Sequence, residues 1–146
     1  MTELAARTHS IVVERVMPHS PDKIWRALTQ SALIEAWLMK NDFQPVVGHT
    51  FNFRASPIHG WNGVTDSEVL EIIPHRRLTY SWNASGDQAP DGLKTIVTWT
   101  LTPCENGTRV RMEQSGFRPQ DETGYRGMGG GWPRILARLE EVSSKS

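Results

Sequence analysis

Asp121 to Val142, DETGYRGMGGGWPRILARLEEV, is the stretch whose reading decides the fold. Tyr125, Met128, Trp132, Ile135, Leu136, Leu139 and Val142 recur at spacings of three and four, the period of a helix with one apolar stripe. Arg126, Arg134, Arg138, Glu140 and Glu141 fall between them and are expected to face water. Asp121 suits an N-cap, and Glu122 suits the positive end of the helix dipole. A stripe about 100° wide has to be covered by the rest of the chain. Gly129, Gly130, Gly131 and Pro133 fall inside it. Each interior glycine costs about 1 kcal/mol relative to alanine, and an interior proline about 3. Two compatible readings follow. One is a kink or break near Gly131, with Pro133 starting a second segment. The other is that the glycines leave room for a ligand or a neighbouring strand.

Working outward, most of the remaining chain reads as strand. Ser10–Val16 is β-branched and alternating. Ser20-Pro21 is a helix start, followed by Ile24, Trp25 and Leu28 on one face, and a second short helix from Ser31 carries Leu33, Ile34, Trp37 and Leu38. Strands are expected at His49–Arg54, Val64–Ile73, Arg77–Trp82, Thr95–Leu101 and Thr108–Gln114, with loops at Asp42–Gly48, Ser56–Gly63 and Ala84–Gly92. Asn106-Gly107 is a strong short hairpin signal between the last two strands. The order is strand, two short helices, five strands, long helix. This is an α+β domain in which an antiparallel sheet of about six strands, with one wet face, grips the terminal helix over residues 1–146.

Composition excludes several partners. Lys+Arg and Asp+Glu both total 16 in 146 residues, so no basic surface points to a nucleic acid or an anionic membrane. Cys104 is the one cysteine and can form no internal disulfide. No leader or membrane helix is expected, and the reading is a cytoplasmic protein. Six tryptophans stand out: Trp25, Trp37, Trp61, Trp82, Trp99 and Trp132. Each can bury about 200 Å². They fit either a bulky core or an aromatic-lined cavity.

Four pieces together resemble a known family: Ser20-Pro21-Asp22-Lys23-Ile24-Trp25-Arg26-Ala27-Leu28-Thr29; Ala36-Trp37-Leu38; Val69 to Trp82; and Ser115-Gly116-Phe117 followed by Gly131-Trp132 and Leu136-x-x-Leu139. The chain is similar to the activator-of-heat-shock-protein-90-ATPase homologues, a branch of the START-like (SRPBCC) helix-grip superfamily. That resemblance implies a cavity between sheet and terminal helix, often for an apolar small molecule. It also implies functions ranging from co-chaperone to ligand carrier, resistance protein and enzyme. The co-chaperones of the family carry an additional N-terminal domain, for which this chain is expected to have no room. Fold alone does not fix chemistry.

No catalytic set is legible. The five histidines, His9, His19, His49, His59 and His75, have no metal-ligand spacing, and no cofactor motif is present. The leading expectation is therefore a binding module for a small hydrophobic or aromatic ligand. Its site would draw on Trp37, Phe51, Phe53, Trp61, Tyr80, Trp82, Trp99, Met112, Phe117, Met128 and Trp132. A second reading is an enzyme using acid–base chemistry on an aromatic or polyketide-like substrate. It needs at least two of His59, Asp66, Glu68, Tyr80 and Gln114 to converge in one pocket. A third is a chaperone-interacting regulatory module with an exposed apolar patch of several hundred Å². A chaperone and a second copy of the chain are the protein partners this leaves open.

Overall fold

The computed structural model describes residues 9–56, 62–86 and 89–145. Strands β1 (His9–Met17), β2 (Lys40–Asn41), β3 (Thr50–Arg54), β4 (Val64–Ile73), β5 (Arg77–Gly86), β6 (Ala89–Cys104) and β7 (Gly107–Phe117) form one sheet in the order β1-β7-β6-β5-β4-β3-β2. Every neighbouring pair is antiparallel. Helices α1 (Pro21–Thr29) and α2 (Ser31–Trp37) follow β1, and α3 (Glu122–Ser144) ends the chain. This is the expected helix-grip arrangement, with seven strands among the described residues where about six were expected. The added strand, β2, has two residues and pairs Lys40 and Asn41 with Arg54 and Phe53.

The local reasons are those of the sequence. Ser20 is extended and its Oγ accepts from Lys23 N at 3.4 Å, so Pro21 opens α1 without losing a needed donor. Ile24, Ala27 and Leu28 then turn inward, and Ile34 and Trp37 do the same on α2. Trp37 Nε1 donates to Ala27 O at 2.8 Å, which satisfies a carbonyl at the open end of α1. On the strands burial alternates with period two: Phe51 and Phe53; Thr65, Ser67 and Val69; Leu78, Tyr80 and Trp82; Val97, Trp99 and Leu101; Val110, Met112 and Gln114.

Two expectations about turns change. The polar run Ala84–Gly92 is not a loop throughout: β5 continues to Gly86 and β6 begins at Ala89, pairing Ala84 with Leu93 and Gly86 with Ala89. The last hairpin turns at Glu105-Asn106, closed by the pair Cys104–Gly107. Gly107 belongs to β7, with φ +147°, and a Cβ there would stand 2.0 Å from Met17 O. Its lack of a side chain serves the approach of β1, not the turn.

The terminal helix also departs from one reading. Glu122–Ser144 is one unbroken α-helix with Pro133 inside it, so no second segment starts at Pro133. Trp132, Leu136, Leu139 and Ser143 are its buried stripe, with Tyr125, Met128, Ile135 and Val142 partly buried beside them. Asp121 occupies the N-cap position but gives the helix no side-chain bond. Its carboxylate accepts from Arg118 instead.

Candidate functional site

The inner face of the sheet presents a continuous run of rings to α3. Trp37 meets Trp99 edge-on at 5.5 Å between centroids, and Trp99 meets Trp132 at 5.8 Å. Trp132 meets Trp82 at 5.6 Å, and Trp82 meets Phe53 at 5.0 Å. Phe53 and Tyr80 both contact Phe51, at 5.2 and 5.6 Å. These are the tilted and edge-on geometries that aromatic quadrupoles favour. Trp37, Phe51, Phe53, Tyr80, Trp82, Trp99 and Trp132 are all buried, so this part of the expected set does come together. Met112 and Phe117 are fully buried further along β7, where Phe117 packs on Tyr125. Met128 is partly buried on α3. Trp61 and His59 lie outside the described residues.

Among these rings runs a polar thread. Trp132 Nε1 donates to Gln114 Oε1 at 2.8 Å, Gln114 Nε2 donates to Thr95 Oγ1 at 2.9 Å, and Thr95 Oγ1 donates to Trp82 O at 2.8 Å. Gln114 is wholly enclosed, and both ends of its amide are engaged, Oε1 by Trp132 of α3 and Nε2 by Thr95 of β6. Trp99 Nε1 donates to the Tyr80 hydroxyl at 2.9 Å. Burial pushes the Tyr80 phenol well above its ordinary range, against a smaller opposing effect of the Trp99 bond. Tyr80 therefore stays protonated at neutral pH and is no base.

The acid–base set is divided between the two faces of the sheet. Asp66 and Glu68 are exposed on the face of β4 opposite Thr65, Ser67 and Val69. They line an open cleft of about 520 Å³ with Asp42, Thr50, Asn52, Ser81 and Asn83, and Phe51 and Ser67 also border it. Tyr80 and Gln114 are on the inner side. The expectation that the carboxylate pair could enter the cavity is corrected by the pleat: residues two apart share a face, and this face is the wet one. Among the described residues no group of three or more His, Cys, Asp or Glu side chains is placed to hold a metal ion. Among them too, no helix is long and apolar enough to cross a membrane.

Ser67 is, with Thr65 and Thr95, an inner-face polar residue that the sequence reading passed over. The alternation of β4 carried the signal, because Ser67 shares the parity of Val69 and is buried beside it.

Residues 18–144 match the family described as Activator of Hsp90 ATPase homolog 1-like protein. The chain belongs to that family. Among solved structures, the chain is similar to protein MLL2253 of Mesorhizobium loti, with 48% identity, a TM-score of 0.86, and coverage of 94% of this chain and 98% of that one. It is also similar to the Aha1 dimer of Colwellia psychrerythraea, at 25% identity and TM-score 0.72, covering 92% and 95% of the two chains. A third likeness, to CalU16 of Micromonospora echinospora, has 23% identity and TM-score 0.72, with 94% and 77% covered, and speaks for the fold alone. No match was found among curated proteins. The family match spans both short helices, six of the strands and all of α3, so it covers the whole ring-lined face.

Proposed function

We propose that the chain binds a small hydrophobic or aromatic molecule between the inner face of the sheet and α3. The observation that carries this reading is the continuous run of large rings between them. α3 comes close to α1, α2 and β1, but among the described residues its backbone makes no comparable approach to any of the strands β3 to β7. There the separation is spanned by large side chains, with Trp132 reaching Trp82 and Trp82 reaching Phe53. Ligand sites of this kind are mostly apolar, with a few fixed polar groups.

The acid–base reading loses its carboxylate pair to the outer face. The chaperone-docking reading asks for a contiguous apolar patch. Among the described residues the exposed large apolar side chains are Val12 and Val16 on β1, Val46 and Val47 ahead of β3, Leu70 and Ile73 on β4, and Ile96 on β6. Charged residues of β7 intervene, Arg111 bridging Glu14 and Glu113. Single exposed residues of this kind are ordinary surface.

Thermal melts with a panel of planar hydrophobic compounds test the proposal. At least one compound is expected to raise the melting temperature in a concentration-dependent way, by about 2.7 kcal/mol of added stability at one hundred times its Kd. A flat response across the panel, with no quenching of tryptophan fluorescence, overturns it.

A further inference from the structure

Two buried polar atoms on the inner face have no partner among the described residues: the Trp82 Nε1–H and the Ser67 hydroxyl. Each residue is 5% exposed. The register puts them side by side. Thr65 pairs with Ala84, Asp66 with Asn83 and Val69 with Tyr80, so Ser67 stands across from Trp82. Directly opposed residues on antiparallel strands have Cβ atoms about 4.5–5.5 Å apart. Ser67 also pairs with Phe51 on its other side, and the Trp82 ring lies between Phe53 and Trp132.

Buried donors nearly always find an acceptor, because leaving one unpaired forfeits its hydration for nothing. The neighbouring polar groups do not answer the need. Thr95 Oγ1 already accepts from Gln114 and donates to Trp82 O, and Gln114 Oε1 accepts from Trp132. An indole nitrogen can only donate, so whatever completes Trp82 must bring an acceptor. A serine hydroxyl can donate to the same atom. The chemistry common to both is one oxygen with two lone pairs, presented from an apolar body that tolerates the rings around it.

We propose that Ser67 and Trp82 clip a single carbonyl oxygen of a planar aromatic ligand, whose rings lie against Phe53 and Trp132. This rests on the binding reading given above and narrows the ligand from any hydrophobe to an aromatic ketone or a quinone-like carbonyl compound. A hydrocarbon of the same shape leaves both donors unpaired and binds more weakly for that reason.

The test is a matched pair, 2-acetylnaphthalene and 2-isopropenylnaphthalene, which differ in C=O against C=CH2. Both are titrated calorimetrically into the full chain and into Trp82→Phe and Ser67→Ala. Two lost hydrogen bonds predict that the wild type prefers the ketone by ~10-fold or more. Each substitution is expected to lower ketone affinity severalfold and to shrink the ketone-over-hydrocarbon ratio. Ser67→Ala keeps its Cβ and its strand, and it decides the matter if Trp82→Phe folds poorly. Equal binding of the two compounds by the wild type overturns the clip and leaves interior binding standing. That is also the result if a trapped water bridges the two side chains. A ketone preference that survives both substitutions overturns the clip as well. Binding of neither compound removes the clip together with the reading beneath it.

Discussion

Asp121 stands at the corner between β7 and α3, with Arg118 folded back on it through bonds of 2.8, 2.9 and 3.0 Å. Burial works to raise the carboxyl's pKa, but the Arg118 side-chain bonds, its backbone N–H and its charge outweigh this and hold the value below the ordinary aspartate range. The folded-state pKa is thus the lower one. The stabilisation is complete above the unfolded value of about 3.9 and is lost as pH falls through the folded value. Urea midpoints are expected to drop steeply below about pH 4 in the wild type and less in Asp121→Asn, which is already weaker at neutral pH by about 1–3 kcal/mol. Superimposable acid limbs would mean that the corner contributes nothing. Sequence alone reads Asp121 as a helix cap, because the residue type and position fit. The competing donor, three residues upstream, becomes visible only when the 3-10 turn Pro119–Asp121 brings Arg118 round. Gly107 misleads in the same way. Asn106-Gly107 is a real hairpin signal, yet the glycine answers to Met17, ninety residues earlier in the chain.

At the scale of elements, α3 holds together against its own propensities. Pro133 removes a backbone donor and the glycines remove side chains, yet the helix runs unbroken from Glu122 to Ser144. Tertiary packing of Trp132, Leu136 and Leu139 and the Arg15–Glu140 ion pair at 2.8 Å tie it down. A Cβ at Gly127 or Gly130 would meet nothing within 4 Å, and neither has a positive φ. Gly130→Ala is therefore expected to stabilise the chain by about 1 kcal/mol and raise the melting temperature by a few degrees. A fall in the melting temperature would show that this segment needs the glycine for a reason other than space. Helix and strand identities were legible because period 3.6 and period 2 are clean in this sequence. The extension of β5 to Gly86 and of β6 back to Ala89 was not, because the serine, glycine, proline and aspartate of 84–92 read as turn residues. Nor was β2, where two residues join the sheet only because β3 offers an edge.

For the whole molecule, the aromatic face was foreseeable and its polar detail was not. Parity along each strand places the large rings together, but it does not say which face is wet. Asp66 and Glu68 therefore drew attention that belonged to Ser67, one residue away on the other face. Which donors are already engaged depends on contacts such as Gln114 to Trp132, which join strand to helix across the core. The central claim is that a ligand lies between the sheet and α3, against Trp82 and Trp132. Nuclear magnetic resonance on the uniformly ¹⁵N-labelled chain tests this directly, because each tryptophan contributes its own indole N–H signal. On titration with 2-acetylnaphthalene, the indole signals of Trp82 and Trp132 are expected to move, while the backbone amides of Asp66 and Glu68 on the outer face stay in place. Unmoved indole signals, with or without shifts around the outer cleft, would contradict the account.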